Sequence, residues 1–170
     1  KESSFSRAIY IGMSCPFILE DSFITNCTHP SEKGGSVFYE SIDGRTNDLT
    51  EICNTVFVNN SATTGTELYL SIHLEPTIRN CTFMNKFIYS DLIYLHFEYG
   101  MENENEIAAK FDQLHFINCS FGNYKVLTIL NSDIDCQVNE VLLDKCEFLN
   151  NDKCEFASIG EPKLTILDSL

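Results

Sequence analysis

Two short segments carry the same alternation of apolar and chemically capable residues: Ile72-His73-Leu74-Glu75 and Leu95-His96-Phe97-Glu98. They begin 23 residues apart. If both are strands, the period of two sends Ile72, Leu74, Leu95 and Phe97 to one face and His73, Glu75, His96 and Glu98 to the other. Two imidazoles and two carboxylates stacked on neighbouring strands could hold a divalent cation such as zinc. Glu40, in Phe38-Tyr39-Glu40, extends the column by one carboxylate. The plainer alternative is a solvated polar face. A second pair, Asp133 and Asp135, shares a strand face in Ser132-Asp133-Ile134-Asp135-Cys136. Paired carboxylates serve calcium sites and the acid–base hydrolysis of sugars, but here no basic residue adjoins them. No nucleophile elbow, phosphate-binding loop or His-Glu-x-x-His motif occurs. The sequence thus predicts no resident cofactor, a divalent cation being the one candidate, and it leans away from an enzyme.

The elements that would position these groups come from an internal repeat. Its clearest copies are Ile78-Arg79-Asn80-Cys81-Thr82-Phe83-Met84-Asn85, Phe116-Ile117-Asn118-Cys119-Ser120-Phe121-Gly122-Asn123 and Leu143-Asp144-Lys145-Cys146-Glu147-Phe148-Leu149-Asn150. Weaker copies centre on Phe23 and Phe57, a partial one on Phe5, and residues 164–170 read as the start of another. The anchoring Phe recurs at steps of 18, 34, 26, 38 and 27 residues, which excludes repeats of strict length and fits a solenoid with loops of variable length. Within each unit an apolar residue precedes the Phe by five positions: Ile18, Ile52, Ile78, Phe116, Leu143. A Cys or small residue precedes it by two, so Cys and Phe share an inward strand face. Asn follows two or three later, suited to a left-handed turn and to stacking as a ladder between coils. A second strand follows each unit, as in Ala8 to Ile11, Ser36 to Tyr39, Glu67 to Leu74, Leu92 to Phe97 and Val126 to Leu130. Residues 100–113 form the longest excursion and have room for a short helix.

Cys81, Cys119 and Cys146 hold one slot in three consecutive units. A column of small buried hydrophobes is the expected role; bridges between neighbouring coils are the alternative. Asn26, Asn59, Asn80 and Asn118 begin glycosylation sequons. Tyr10, Tyr69 and Tyr94 are expected on an outward face, where aromatic rings could stack on sugars.

The formal net charge is −14, with 11 Lys and Arg against 25 Asp and Glu. That excludes nucleic acid and anionic membrane surfaces as partners. It leaves an acidic surface that repels its copies or attracts cations and basic partners. No stretch approaches the ~20 apolar residues of a membrane span.

Gly34-Gly35-Ser36-Val37, together with Phe23 to Asn26, Phe57 to Asn60 and Phe148 to Asn151, resembles the repeats of the polymorphic outer membrane protein type. These belong to the pectin-lyase-like β-helix superfamily. The expected fold is all-β: a right-handed parallel β-helix of about six irregular coils. Residues 1–170 would be one segment, a fragment of a longer solenoid. The resemblance implies an extracellular or cell-surface module that binds a protein or carbohydrate ligand, adheres, or serves as a rod-like scaffold. A polysaccharide lyase or glycoside hydrolase is the first alternative. An assembly component packing end to end with adjacent β-helix segments is the second.

Overall fold

In the computed structural model the described residues are 7–12, 15–40, 50–72, 76–84, 91–96, 109–122, 127–132, 136–155 and 163–169. All regular structure among them is strand. In chain order these are β1 (Ile9–Ile11), β2 (Phe17–Glu20), β3 (Phe23–Thr25), β4 (Thr28–Lys33), β5 (Val37–Glu40), β6 (Thr50–Cys53), β7 (Val56–Val58), β8 (Ser61–Thr64), β9 (Leu68–Ser71) and β10 (Thr77–Arg79). They continue as β11 (Thr82–Met84), β12 (Asp91–His96), β13 (Ala109–Ile117), β14 (Ser120–Gly122), β15 (Leu127–Ser132), β16 (Cys136–Asp144), β17 (Glu147–Leu149), β18 (Cys154–Glu155) and β19 (Lys163–Leu167).

Every pairing is parallel, and the chain visits the sheets in a fixed order. The first sheet runs β2-β6-β10-β13-β16-β19, the second β3-β7-β11-β14-β17 and the third β1-β5-β9-β12-β15-β18. A small sheet, β4-β8, bridges the second and third in the first two circuits. One circuit therefore adds one strand to each main sheet, an order compatible with a parallel β-helix. The inward columns follow from register. Leu19, Ile52, Ile78, Phe116, Leu143 and Ile166 align across the first sheet. Phe57, Phe83, Phe121 and Phe148 stack in the second, with centroids 5.1, 5.3 and 5.2 Å apart. Such spacing is close to the ~4.8 Å between paired strands.

The corner between the first and second sheets is one left-handed residue, at φ 50 in Asp21 and Asn54, 53 in Asn80 and Lys145, 51 in Asn118 and 44 in Asp168. Asn and Asp tolerate this region better than other L residues do. Their side chains form a ladder. Asn118 Nδ2 donates to Asn80 Oδ1 (3.2 Å), Asn80 to Asn54 (3.0 Å) and Asn54 to Asp21 (3.0 Å). Asp21 carries only acceptors, which suits the receiving end. The ladder thus uses the Asn just before Thr55, Cys81 and Cys119, whereas the sequence pattern pointed to the Asn after the Phe. Those later residues, Asn26, Asn59 and Asn150, are left-handed as well, at φ 58, 55 and 55, and turn the chain out of the second sheet.

Two expectations need correction. In the first unit the register is shifted by one residue: Ile24 aligns with Phe57 and is buried, while Phe23 is 67% exposed. Likewise Leu19, and not Ile18, aligns with Ile52. Both frames place apolar residues five apart, but the observed one puts Asp21 and Asn26 at the left-handed corners. The other would put Glu20 and the β-branched Thr25 there, at a steric cost. The excursion over 100–113 is also shorter than expected, because Ala109 to Gln113 belong to β13 and pair with β16. From Ala109 on, the weak helix preference of the stretch is overridden by a long partner strand, as tertiary context overrides weak propensity.

Candidate functional site

The Cys slot is a hydrogen-bonding position. Cys81, Cys119 and Cys146 are buried and free. Each thiol donates to the carbonyl two residues back, Arg79, Ile117 and Asp144, at 3.3, 3.5 and 3.6 Å. Ser22, Thr55 and Ser169 fill the same slot in other units, and their hydroxyls make the same bond at 2.8 Å. Cys here acts as a small donor that caps the corner. The Cys119 thiol is pushed well up, first by its hydrogen bond with Cys146, then by that with Cys81 and by burial. A thiol held protonated between two others is a poor nucleophile.

The third sheet has an inner and an outer face. Val37, Tyr39, Leu68, Leu70, Ile93 and Leu95 point into the core. Tyr10, Phe38, Tyr69 and Tyr94 alternate with them and stack as four near-parallel rings at centroid spacings of 5.0, 4.9 and 5.5 Å. Two cations lie over this ladder. The Arg7 guanidinium sits 4.6 Å from the Phe38 centroid and 5.3 Å from that of Tyr10, and its Nε donates to the Lys33 carbonyl at 2.9 Å. The Lys33 ammonium lies 4.7 Å from the Tyr69 centroid and donates to the Tyr69 hydroxyl at 2.9 Å. Between the ladder and the β4-β8 sheet runs an open groove of about 440 Å³. Tyr10 and Phe38 line it with Arg7 and Lys33, and Ser31, Thr63 and Thr64 supply hydroxyls.

Close to the groove the core turns polar. Ser36 and Glu67 occupy the column that Leu92 and Ile129 fill in later circuits. Glu67 is fully buried. Its Oε2 accepts from Ser36 Oγ at 2.6 Å and from Asn60 Nδ2 at 2.8 Å, while Oε1 has no partner. Asn60 also accepts from the Cys27 N–H and donates to the Ile24 carbonyl, tying two circuits together. Burial pushes the Glu67 carboxyl up to about 7, against the hydrogen bonds from Ser36 and Asn60. Gly35 permits this packing: a Cβ there would stand 2.3 Å from the Thr66 carbonyl oxygen.

Of the expected cation ligands, His96 is described and His73, Glu75 and Glu98 lie outside the described residues. His96 aligns with Ser71, two residues short of His73, so the expected pairing of the two imidazoles is displaced. Glu40 also aligns with Ser71 and joins the column of His96. A shift of two residues keeps every side chain on its face, so alternation could not reveal it. Here the stacking of Tyr69 on Tyr94 marks the register. His96 leans on Tyr69, its ring tilted by 33° at 6.1 Å. Among the described residues no group of three or more His, Cys, Asp or Glu is placed to hold a metal ion. Asp133 and Asp135 lie outside the described residues. Asn26, Asn80 and Asn118 are exposed and Asn59 half-buried, but the amide nitrogens of Asn80 and Asn118 serve the ladder.

Sequence reasoning named Tyr10, Tyr69 and Tyr94 but missed Arg7, Lys33 and the hydroxyls. The available signal was Arg7, three residues before Tyr10 in a chain poor in cations. Lys33 is brought to the ladder only by the bridge between sheets. Compared with protein family models, with curated proteins and with solved structures, the chain matches none.

Proposed function

We propose that the chain is a non-enzymatic module of a right-handed, closed parallel β-helix of the polymorphic outer membrane protein type. It would work at a cell surface or outside the cell, binding a protein or carbohydrate ligand without a resident cofactor. The observation that carries this reading is the groove over the Tyr10–Phe38 rings, walled by Arg7 and Lys33. An aromatic floor with a few fixed polar groups is the usual make-up of a ligand site. The repeated columns, by contrast, satisfy their own hydrogen bonds and offer a ligand little. Purified chain screened against immobilised neutral and acidic polysaccharides, with and without calcium or zinc, tests the proposal. Binding without cleavage, unaffected by either metal, is the expected outcome. Metal-dependent cleavage would replace it with a polysaccharide-active enzyme, and a lack of binding throughout would leave a rod-like scaffold.

A further inference from the structure

The fold gives the Asn residues of the four sequons unequal roles. Asn80 and Asn118 hold the corner between the first and second sheets. Their amide nitrogens donate to Asn54 Oδ1 at 3.0 Å and to Asn80 Oδ1 at 3.2 Å. A sugar on either nitrogen takes one of its two hydrogens and stands against the neighbouring circuit, about 4.8 Å away. Ladder bond and sugar compete for the same nitrogen, and an oligosaccharide is bulky enough to need an open surface.

The exit of the second sheet is different. Asn26 and Asn59 hold left-handed corners there, at φ 58 and 55, and their backbone N–H groups donate to the Val58 and Met84 carbonyls. Asn59 is half-buried, and its sequon runs on into Asn60. Asn60 is fully buried and bonds to Cys27, Ile24 and Glu67, so this sequon is pinned to the core. Asn26 is exposed, and among the described residues its side chain takes part in no hydrogen bond.

The hydroxyl that completes its sequon belongs to Thr28, which is half-buried and accepts from the Ser61 hydroxyl at 3.4 Å. That distance is long for a bond between hydroxyls, so Thr28 is loosely held. Asn26 therefore combines what no other sequon here does: an unbonded amide nitrogen at the surface and a loosely held hydroxyl two residues on. We propose that Asn26 is an N-glycosylation site and that Asn59, Asn80 and Asn118 stay bare in the folded chain. The donor is an oligosaccharide linked to a lipid diphosphate. The Asn26 amide nitrogen bonds to the anomeric carbon, and the bond from that carbon to the diphosphate oxygen breaks. The lipid diphosphate leaves, and the amide proton passes to a base of the transferase. The proposal rests on the extracellular part of the proposed function, because this modification belongs to exported proteins.

The intact chain, exported by a eukaryotic host cell, tests it. The secreted protein is treated with peptide N-glycosidase in heavy-oxygen water, which marks each former glycan site, and its peptides are read by mass spectrometry. Label is expected at Asn26 in most molecules and at none of the other three. Thr28→Ala, which leaves the left-handed Asn26 in place, should abolish the label and return the protein to the mass of the bare chain, with an unchanged circular dichroism spectrum. Secreted chain with Asn26 bare, or folded secreted chain labelled at Asn59, Asn80 or Asn118, would overturn the assignment and leave the extracellular reading standing. If the host retains the chain, the same digest of the retained fraction decides: label at Asn26 supports the site and a bare Asn26 overturns it. Surface biotinylation of the cells that make the protein naturally tests the extracellular reading apart. Protein confined to their cytosol sinks that reading and the glycan with it.

Discussion

At the corner between the first and second sheets, successive circuits use equivalent residues in equivalent ways: a left-handed residue, a small donor to the carbonyl two back, then an inward aromatic or Ile. The outer face of the third sheet changes as it goes. Its column reads Tyr10, Phe38, Tyr69 and Tyr94, with Asn131 at the register position of the next strand, and the core column behind it passes from Ser36 and Glu67 to Leu92 and Ile129. Repetition lets each circuit satisfy its neighbours, so the corner is stable and chemically closed. Where repetition lapses, side chains are left whose partners are not other copies of themselves. Both the groove and the buried carboxylate lie on that irregular side.

The largest test of this contrast is Phe83→Ala, in the middle of the Phe57–Phe83–Phe121 stack. Truncating a fully buried ring should cost about 3–5 kcal/mol, read as a lower denaturant midpoint at unchanged slope. A loss below about 1 kcal/mol would mean that the columns do not carry the stability.

On the irregular side, Glu67 should make stability depend on pH. The folded chain holds its proton more tightly than the unfolded one, because the carboxyl rises from its ordinary 4.5 to about 7. Stability contributed by the protonated form is full below about 4.5, falls as pH rises to about 7 and is level beyond, a total of about 3 kcal/mol. Glu67→Gln should remove this component while keeping an acceptor for Ser36 and Asn60. Melting temperatures from pH 4 to 8 that decline equally in both proteins would place the titration elsewhere.

Asn80→Ala should cost about 1–2 kcal/mol, since it loses two ladder bonds and keeps a left-handed backbone without an Asn side chain. Asn80→Gly, free to adopt that φ, should cost less. Equal losses in the two variants would show that the ladder bonds dominate over the backbone. The smallest effect belongs to Phe23→Ala, expected within about 0.5 kcal/mol because the ring is exposed. Destabilisation as large as that of Phe83→Ala would restore the frame in which Phe23 joins the column.

Much of the regular corner was legible in the residue order. Spacing placed Phe57, Phe83, Phe121 and Phe148 in one column and Cys81, Cys119 and Cys146 in one slot, because strand alternation and Asn-tolerant turns are local properties. Alternation also put Tyr10, Tyr69 and Tyr94 on a common outward face. Sequence alone could not choose between Phe23 and Ile24, nor align His96 with Ser71, because more than one frame preserved the apolar pattern. Register is a relation between strands, decided by which residue can hold a left-handed corner and which rings can stack. The groove needed one step more. Arg7 and Lys33 meet over Phe38 and Tyr69 only after the chain has gone from the third sheet through the first and second and started back. Such a meeting is set by how successive strands are distributed over the sheets, which no local pattern encodes.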